Sequence, residues 1–245
     1  MRPRQRPQQA PAPDWPGRLA ALAAQARDPR LARFYRAGAV AAGTPLEQVP
    51  LLALDFETTG LDASCHAIVS IGLVPFDLHR IRLPESRHWV VRPQLPLEAR
   101  SVTLHRITHS EVAAAPDLEA VLDDLLGAMA GRVMVVHYAP IERQFLDVAL
   151  RHRLGEAIEF PVLDTLALEA RIARAPQGGW LRRWLRRAPH SKPVSVRLGD
   201  ARSRYGLPYY QPHHALTDAL ASAELLQAQV AHHFRRDIPV GELWQ

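Results

Sequence analysis

Cysteine is nearly absent: Cys65 is alone among 245 residues. No internal disulfide can therefore staple the chain, and the cytoplasm is the compartment that suits it best. Long apolar runs are missing too. A bilayer span needs about 20 predominantly apolar residues, and no stretch comes close, so no membrane partner is expected. The N-terminus, Met1 to Pro13, is basic and rich in Pro and Gln with no apolar segment behind it. It reads as a flexible tail rather than a secretory signal. No internal repeat is visible. Net charge is modest at +5, and the apolar and charged fractions are those of an ordinary globular protein.

The distribution of charge says more than its sum. Between Arg171 and Arg204 there are ten Lys/Arg and one Asp, or +9, which leaves −4 for the rest of the chain. A slightly acidic body with one basic segment suggests a polyanionic partner reached through that segment. The stretch Gly178-Gly179-Trp180-Leu181-Arg182-Arg183-Trp184-Leu185-Arg186-Arg187 interleaves aromatic and Arg residues. That pattern suits single-stranded nucleic acid through phosphate neutralisation and stacking. An amphipathic helix on a membrane or partner surface, or a solvated loop, would share the composition.

Periodicity divides the chain into an extension over 1–48 and a main domain over 49–240 with a basic insertion at about 171–204. Leu19, Leu22 and Ala26, then Leu31, Phe34 and Tyr35, predict two short helices broken at Asp28-Pro29. Strands are predicted at 51–57, 68–76 and 87–91, with further strands at 133–137 and from 162. Helices are predicted at 117–130, capped by Asp117, at 141–154 and at 215–234. Three strands joined by hairpin-like connections and followed by strand–helix alternation indicate an α/β domain with a mixed sheet.

The stretch Leu54-Asp55-Phe56-Glu57-Thr58-Thr59-Gly60 carries the first chemical signal. Alternation on a strand sends Asp55 and Glu57 to one face and Phe56 to the other. Two carboxylates so close repel each other and resist burial. A divalent cation such as Mg²⁺ or Mn²⁺ removes both problems; a pair of solvated acids at a strand end is the plainer alternative. Downstream, Glu142 and Asp218 each sit near a helix start, where an acid also complements the helix dipole. His213 lies just outside the last helix, five residues before Asp218. Histidine is the side chain best suited to take a proton near neutral pH.

Taken together these segments resemble the DEDDh exonucleases, the family that includes the epsilon proofreading subunit of bacterial polymerases. Asp55-Phe56-Glu57-Thr58-Thr59-Gly60 is similar to the first motif and His213-x-Ala-x-x-Asp218-Ala219 to the third. The run His137-Tyr138-Ala139-Pro140-Ile141-Glu142-Arg143-Gln144-Phe145-Leu146 resembles the second. His105-Arg106-Ile107-Thr108 resembles the short His-Gly-Ile-Thr signature, and Asp164-Thr165 the usual Asp-Thr pair. The second motif departs from the pattern, with Glu142 in place of Asp and Tyr138 in place of Asn, so the chain is a DEED-type variant.

The resemblance implies a ribonuclease H-like fold, a mixed five-stranded sheet flanked by helices. It implies metal-dependent 3′–5′ hydrolysis of terminal phosphodiesters to 5′-mononucleotides, with two Mg²⁺ or Mn²⁺ ions. Asp55 would bridge the ions, Glu57 and Asp218 would complete one, and Glu142 would support the other. His213 would be the general base. Thr58, Thr59, Leu61 and His105 would contact substrate, and Asp164 would cap a helix. The expected partner is nucleic acid with a 3′ end, single-stranded, and a polymerase or other protein partner is compatible with the resemblance. DNA and RNA both remain open. A non-catalytic binding module on the same fold is the rival reading, and retention of Asp55, Glu57, Glu142, His213 and Asp218 argues against it.

Overall fold

The computed structural model describes residues 13–93, 107–174 and 194–245. Five strands form one mixed sheet in the order β3-β2-β1-β4-β5. They are β1 (Leu51–Thr58), β2 (Ile68–Phe76), β3 (Arg87–Val90), β4 (Val133–Val136) and β5 (Val162–Asp164). The first three pair antiparallel, whereas β1–β4 and β4–β5 are parallel. This is the sheet expected from the sequence.

Helices α1 (Trp15–Gln25) and α2 (Pro29–Arg36) precede the sheet. Then come α3 (His109–Ala114), α4 (Leu118–Met129), α5 (Pro140–Leu154), α6 (Thr165–Arg174), α7 (Leu198–Arg204) and α8 (Ala215–His233). Local chemistry sets their starts. Asp28 caps α2 with Pro29 in its first turn, and Asp117 caps α4 by accepting from Glu119 N at 2.8 Å. Thr108 and Glu111 close a capping box on α3. The α5 helix ends at Gly155 in a left-handed conformation, φ 68°.

β1 opens on an apolar run, Leu51 to Leu54, and β2 is apolar but for Ser70 and Gly72, because the sheet is covered on both faces. All of β2 is buried, whereas β3 is an exposed edge. Trp15, Leu19, Leu31, Phe34 and Tyr35 of α1 and α2 join the same apolar cluster as the sheet residues. Trp15 Nε1 donates to the Gln245 carbonyl at 3.0 Å, and Arg18 pairs with Glu159. The two N-terminal helices are thus built into the core.

Five of the basic segment's ten cations lie in the described residues. Among them Arg202 is buried and Arg204 exposed, and they pair with Glu224 and Glu169, at 2.7 and 2.8 Å. Arg171 donates to the Glu242 carbonyl at 2.8 Å and lies over the Phe234 ring. The Arg204 and Arg202 pairs tie α7 to α6 and to α8, and Arg171, Arg174, Arg197 and Arg204 are exposed. The interleaved Trp180 to Arg187 run lies outside the described residues.

Candidate active site

The register of β1 on β2 aligns Asp55 with Gly72 and Glu57 with Ser70, then shifts between Glu57 and Thr58. An irregularity of this kind bends a strand and re-aims its side chains, and it recurs beside active sites. Here it follows immediately after the two acids. Phe56 is buried between them on the opposite face, as alternation requires.

Across this face runs the start of α8. A methyl group on Gly72 would meet the Ala215 carbonyl carbon and oxygen at 2.3 Å and Leu216 N at 2.4 Å. Only a glycine lets the helix come this close to the sheet. The approach brings Asp218, one turn into α8, against the strand acids. Carboxylate oxygens of Asp55, Glu57 and Asp218 all lie within 4.8 Å of one another, a spacing that fits a divalent cation. Nothing in the sequence marked Gly72; its place opposite Asp55 is a matter of register and helix path.

Electrostatics agree with the geometry. Burial, and then the charges of Glu142, Asp218 and Glu57, push the Asp55 carboxyl well above the ordinary carboxylate value. Burial also raises Asp218, partly offset by a backbone N–H, with Glu57 adding to the rise. His213 N donates to Asp218 Oδ2 at 2.8 Å.

Glu142 stands slightly apart. It sits in the first turn of α5 and is 2 % exposed. It lies outside the close trio, yet its charge acts on Asp55. Burial raises its own carboxyl strongly. Its Oε2 is buried with no hydrogen-bond partner among the described residues, and an orphaned carboxylate oxygen costs stability unless a cation answers it. The four acids present therefore fit a divalent metal centre. Phe145 and Leu146 anchor this turn in the core, at 2 % and 0 % exposure.

Among the described residues two non-glycine positions have positive φ, Tyr138 at 94° and His213 at 68°. Both fall in the motifs. Asparagine is enriched several-fold among residues with positive φ, whereas a bulky residue there is an outlier, so Tyr138 stands where Asn would be the easier fit. The Tyr138 turn is held from below by Asp164, which accepts from Tyr138 N and Ala139 N at 3.0 Å each. Asp164 Oδ1 also accepts from Leu166 N and Ala167 N at 2.9 and 3.2 Å. One carboxylate thus caps α6 and shapes the approach to Glu142.

Of the expected substrate contacts, Leu61 is 83 % exposed at the tip of the loop after β1. Thr58 and Thr59 are buried and brace that loop. Thr58 Oγ1 donates to the Gly60 carbonyl at 2.6 Å, and Thr59 Oγ1 accepts from Ala67 N at 3.0 Å. His105 lies outside the described residues.

His213 is exposed between two cavities. One, of about 480 Å³, reaches Glu57, Ser70 and His88. The other, of about 560 Å³, reaches Asp218, Arg197 and Arg202. Tyr209, 84 % exposed, lines both. Sequence reasoning did not single out Tyr209, which nothing local distinguishes from other loop residues; Arg197 lay within its basic segment.

Comparison with known proteins agrees with this arrangement. The family model described as Exonuclease (RNase_T) matches residues 52–226. The chain is 28 % identical over 179 residues to a DNA polymerase III PolC-type of Thermotoga petrophila, covering 73 % of this chain and 12 % of that protein. It is 27 % identical over 191 residues to the DNA polymerase III subunit epsilon of Treponema pallidum, covering 78 % and 81 %. The chain thus spans about an eighth of the length of the polymerase relative. Among solved structures, the nuclease domain of 3′hExo, a DEDDh family member bound to rAMP, aligns with a TM-score of 0.61. Its sequence is 16 % identical, and the match covers 75 % of this chain and 92 % of that one.

Proposed function

Because the chain belongs to the RNase_T exonuclease family, we propose that it removes nucleotides from the 3′ ends of nucleic acid as a divalent-metal-dependent 3′–5′ exonuclease, releasing 5′-mononucleotides. The observation that carries this reading is the convergence of Asp55, Glu57 and Asp218 within 4.8 Å, with the orphaned Glu142 oxygen beside them.

Asp55, Glu57 and Asp218, with Glu142 behind them, would hold the divalent metal, and Mg²⁺ and Mn²⁺ both suit such oxygens. Ions held there supply Lewis-acid polarisation of the phosphodiester and activation of water. His213 takes the proton of the attacking water, a contribution of typically about 10²–10⁴-fold. Its exposed position between two cavities lets it reach solvent and substrate at once. The backbone bond from His213 to Asp218 couples the base to a metal-ligating acid. Leu61 and Tyr209 are apolar faces on which terminal bases can rest, and Arg197 lies in the wall beside Tyr209 to meet a phosphate. An unpaired 3′ end is the substrate that can use such faces. A polymerase is the proposed protein partner, since related proteins bear the names of polymerase III epsilon and PolC.

The test is release of labelled nucleotide from 3′-labelled single-stranded DNA and RNA in Mg²⁺ or Mn²⁺, with Asp55→Asn alongside. We expect 5′-mononucleotides from the parent and none from the variant. Full activity in excess EDTA, or in Asp55→Asn, would overturn the assignment.

A further inference from the structure

His213 sits in the loop between α7 and α8. Residues 211–214 are all exposed, and the left-handed backbone at His213 has to be imposed from outside. The downstream end is fixed by α8 and by the bond to Asp218. The upstream end is held through Arg202 on α7 and Glu224 on α8.

Arg202 is 4 % exposed and engages the loop after α7 at four points. Its carbonyl accepts from Tyr205 N and Leu207 N at 3.0 and 3.2 Å. Its Nη2 donates to the Pro208 carbonyl at 2.9 Å, and its guanidinium lies 4.6 Å from the centre of the Tyr210 ring. The same guanidinium is tied to α8, donating to the Ala221 carbonyl and to Glu224 Oε2, at 2.7 Å each. Tyr210 returns the tie, its hydroxyl donating to Glu224 Oε1 at 3.0 Å. Arg202 and Glu224 therefore lock Pro208 and Tyr210 to the helix that bears Asp218, three residues upstream of His213.

We propose that Arg202 is a positioning residue for the general base, setting where the loop enters His213 and hence where its imidazole stands over the acids. The proposal rests on the role given to His213 above. A buried ion pair is a weak device for stability, since replacement by packed apolar groups is often neutral or better. A planar fork that reaches a carboxylate and two carbonyls while stacking on a ring is instead a device for geometry. The neighbouring pair on the same helix, Arg204 with Glu169, shows the contrast. It ties α7 to α6 and makes no bond to residues 207–214.

The test is a double-mutant cycle on the full chain, read as Mn²⁺-supported turnover of a 3′-labelled oligonucleotide, with Tyr210→Leu as a second variant in case Arg202→Lys does not fold. In the parent, Arg202→Lys should lower kcat roughly 10- to 100-fold, as misplacement of a reacting group by about 1 Å does. KM and the rise in Tm on adding Mn²⁺ should be kept, because the metal acids stand on β1 and in the first turns of α5 and α8. In the His213→Ala background the same substitution should cost less than about twofold, since the group being positioned is gone. Tyr210→Leu should follow the same pattern with a smaller loss. An undiminished kcat in Arg202→Lys, or an equal loss in both backgrounds, would overturn the proposal while leaving His213 as the base. If His213→Ala is itself as active as the parent, the general-base reading falls and the positioning role falls with it.

Discussion

At the scale of single residues, two glutamates and two aspartates share one small volume, and each is asked to do something different. Glu142 is the departure from the related second motif, and its buried, partnerless Oε2 gives the departure a physical role. Glu142→Gln keeps the size but removes the charge, so it should abolish most of the turnover and weaken the rise in Tm on adding Mn²⁺. Glu142→Asp should retain a substantial part, with a changed ratio of Mg²⁺- to Mn²⁺-supported activity, because Mg²⁺ is the stricter about geometry. Undiminished turnover by Glu142→Gln would remove it from the site. The adjacent histidines also separate by role. His214 is the N-cap of α8, accepting from Thr217 N at 3.4 Å, and its ring stacks on His88 at 4.8 Å. His214→Ala should thus lower stability by about 0.5–2 kcal/mol in denaturant titration with a modest change in kcat. His213→Ala should do the reverse, losing turnover while keeping Tm.

At the scale of elements, the site is made where α8 crosses β2. Gly72→Ala puts a methyl group 2.3 Å from the Ala215 backbone, so the helix must move off the sheet and take Asp218 with it. The expected result is loss of the Mn²⁺-induced Tm rise together with activity, although the substitution touches no acid; retention of both would show that the helix can yield without cost. A second junction holds α6, α7 and α8. Glu169, 3 % exposed, accepts from Gln229 at 2.8 Å, from Arg204 at 2.8 and 3.1 Å, and from the Tyr205 hydroxyl at 3.1 Å. Burial pushes its carboxyl up, but the bonds from Gln229, Arg204 and Tyr205 outweigh it and leave it below the ordinary value. A carboxyl depressed in the folded state contributes stability that is fully present above its unfolded pKa, about 4.3. That stability is lost as pH falls through the lower folded value. The Tm gap between the parent and Glu169→Gln should therefore be widest above about pH 5 and narrow on acidification. A gap that widens toward acid would contradict the depressed carboxyl.

At the scale of the whole molecule, the N-terminal helices and the sheet share one apolar core. Phe34 and Leu31 are 3 % and 0 % exposed, in the same cluster as Leu54 and Val135. Phe34→Ala should cost about 3–5 kcal/mol, as a core truncation does, although Phe34 is remote in sequence from all of the acids. Unfolding in urea should remain one transition, with fluorescence and exonuclease activity lost together. A separate early transition that leaves activity intact would show that α1 and α2 are an accessory layer. No helix among the described residues is long and apolar enough to cross a membrane.

Local signals in the sequence determined the elements and most of the acids. A continuous apolar run, Leu51 to Leu54, placed β1, an Asp–Pro pair placed the start of α2, and strand alternation put Asp55 and Glu57 on one face and Phe56 on the other. Those patterns survive in the fold because each depends on neighbours within a few residues. Tertiary structure decided what depends on distant partners. Gly72 matters only because α8 lies on it, and Arg202 counted as one more cation of a basic segment until Ala221 and Glu224 enclosed its guanidinium. Asp164 governs Tyr138 from 26 positions away. Burial inverted the meaning of charge: buried carboxylates and guanidiniums must be answered by a specific partner or an ion, and which partner is a property of packing that no local pattern carries.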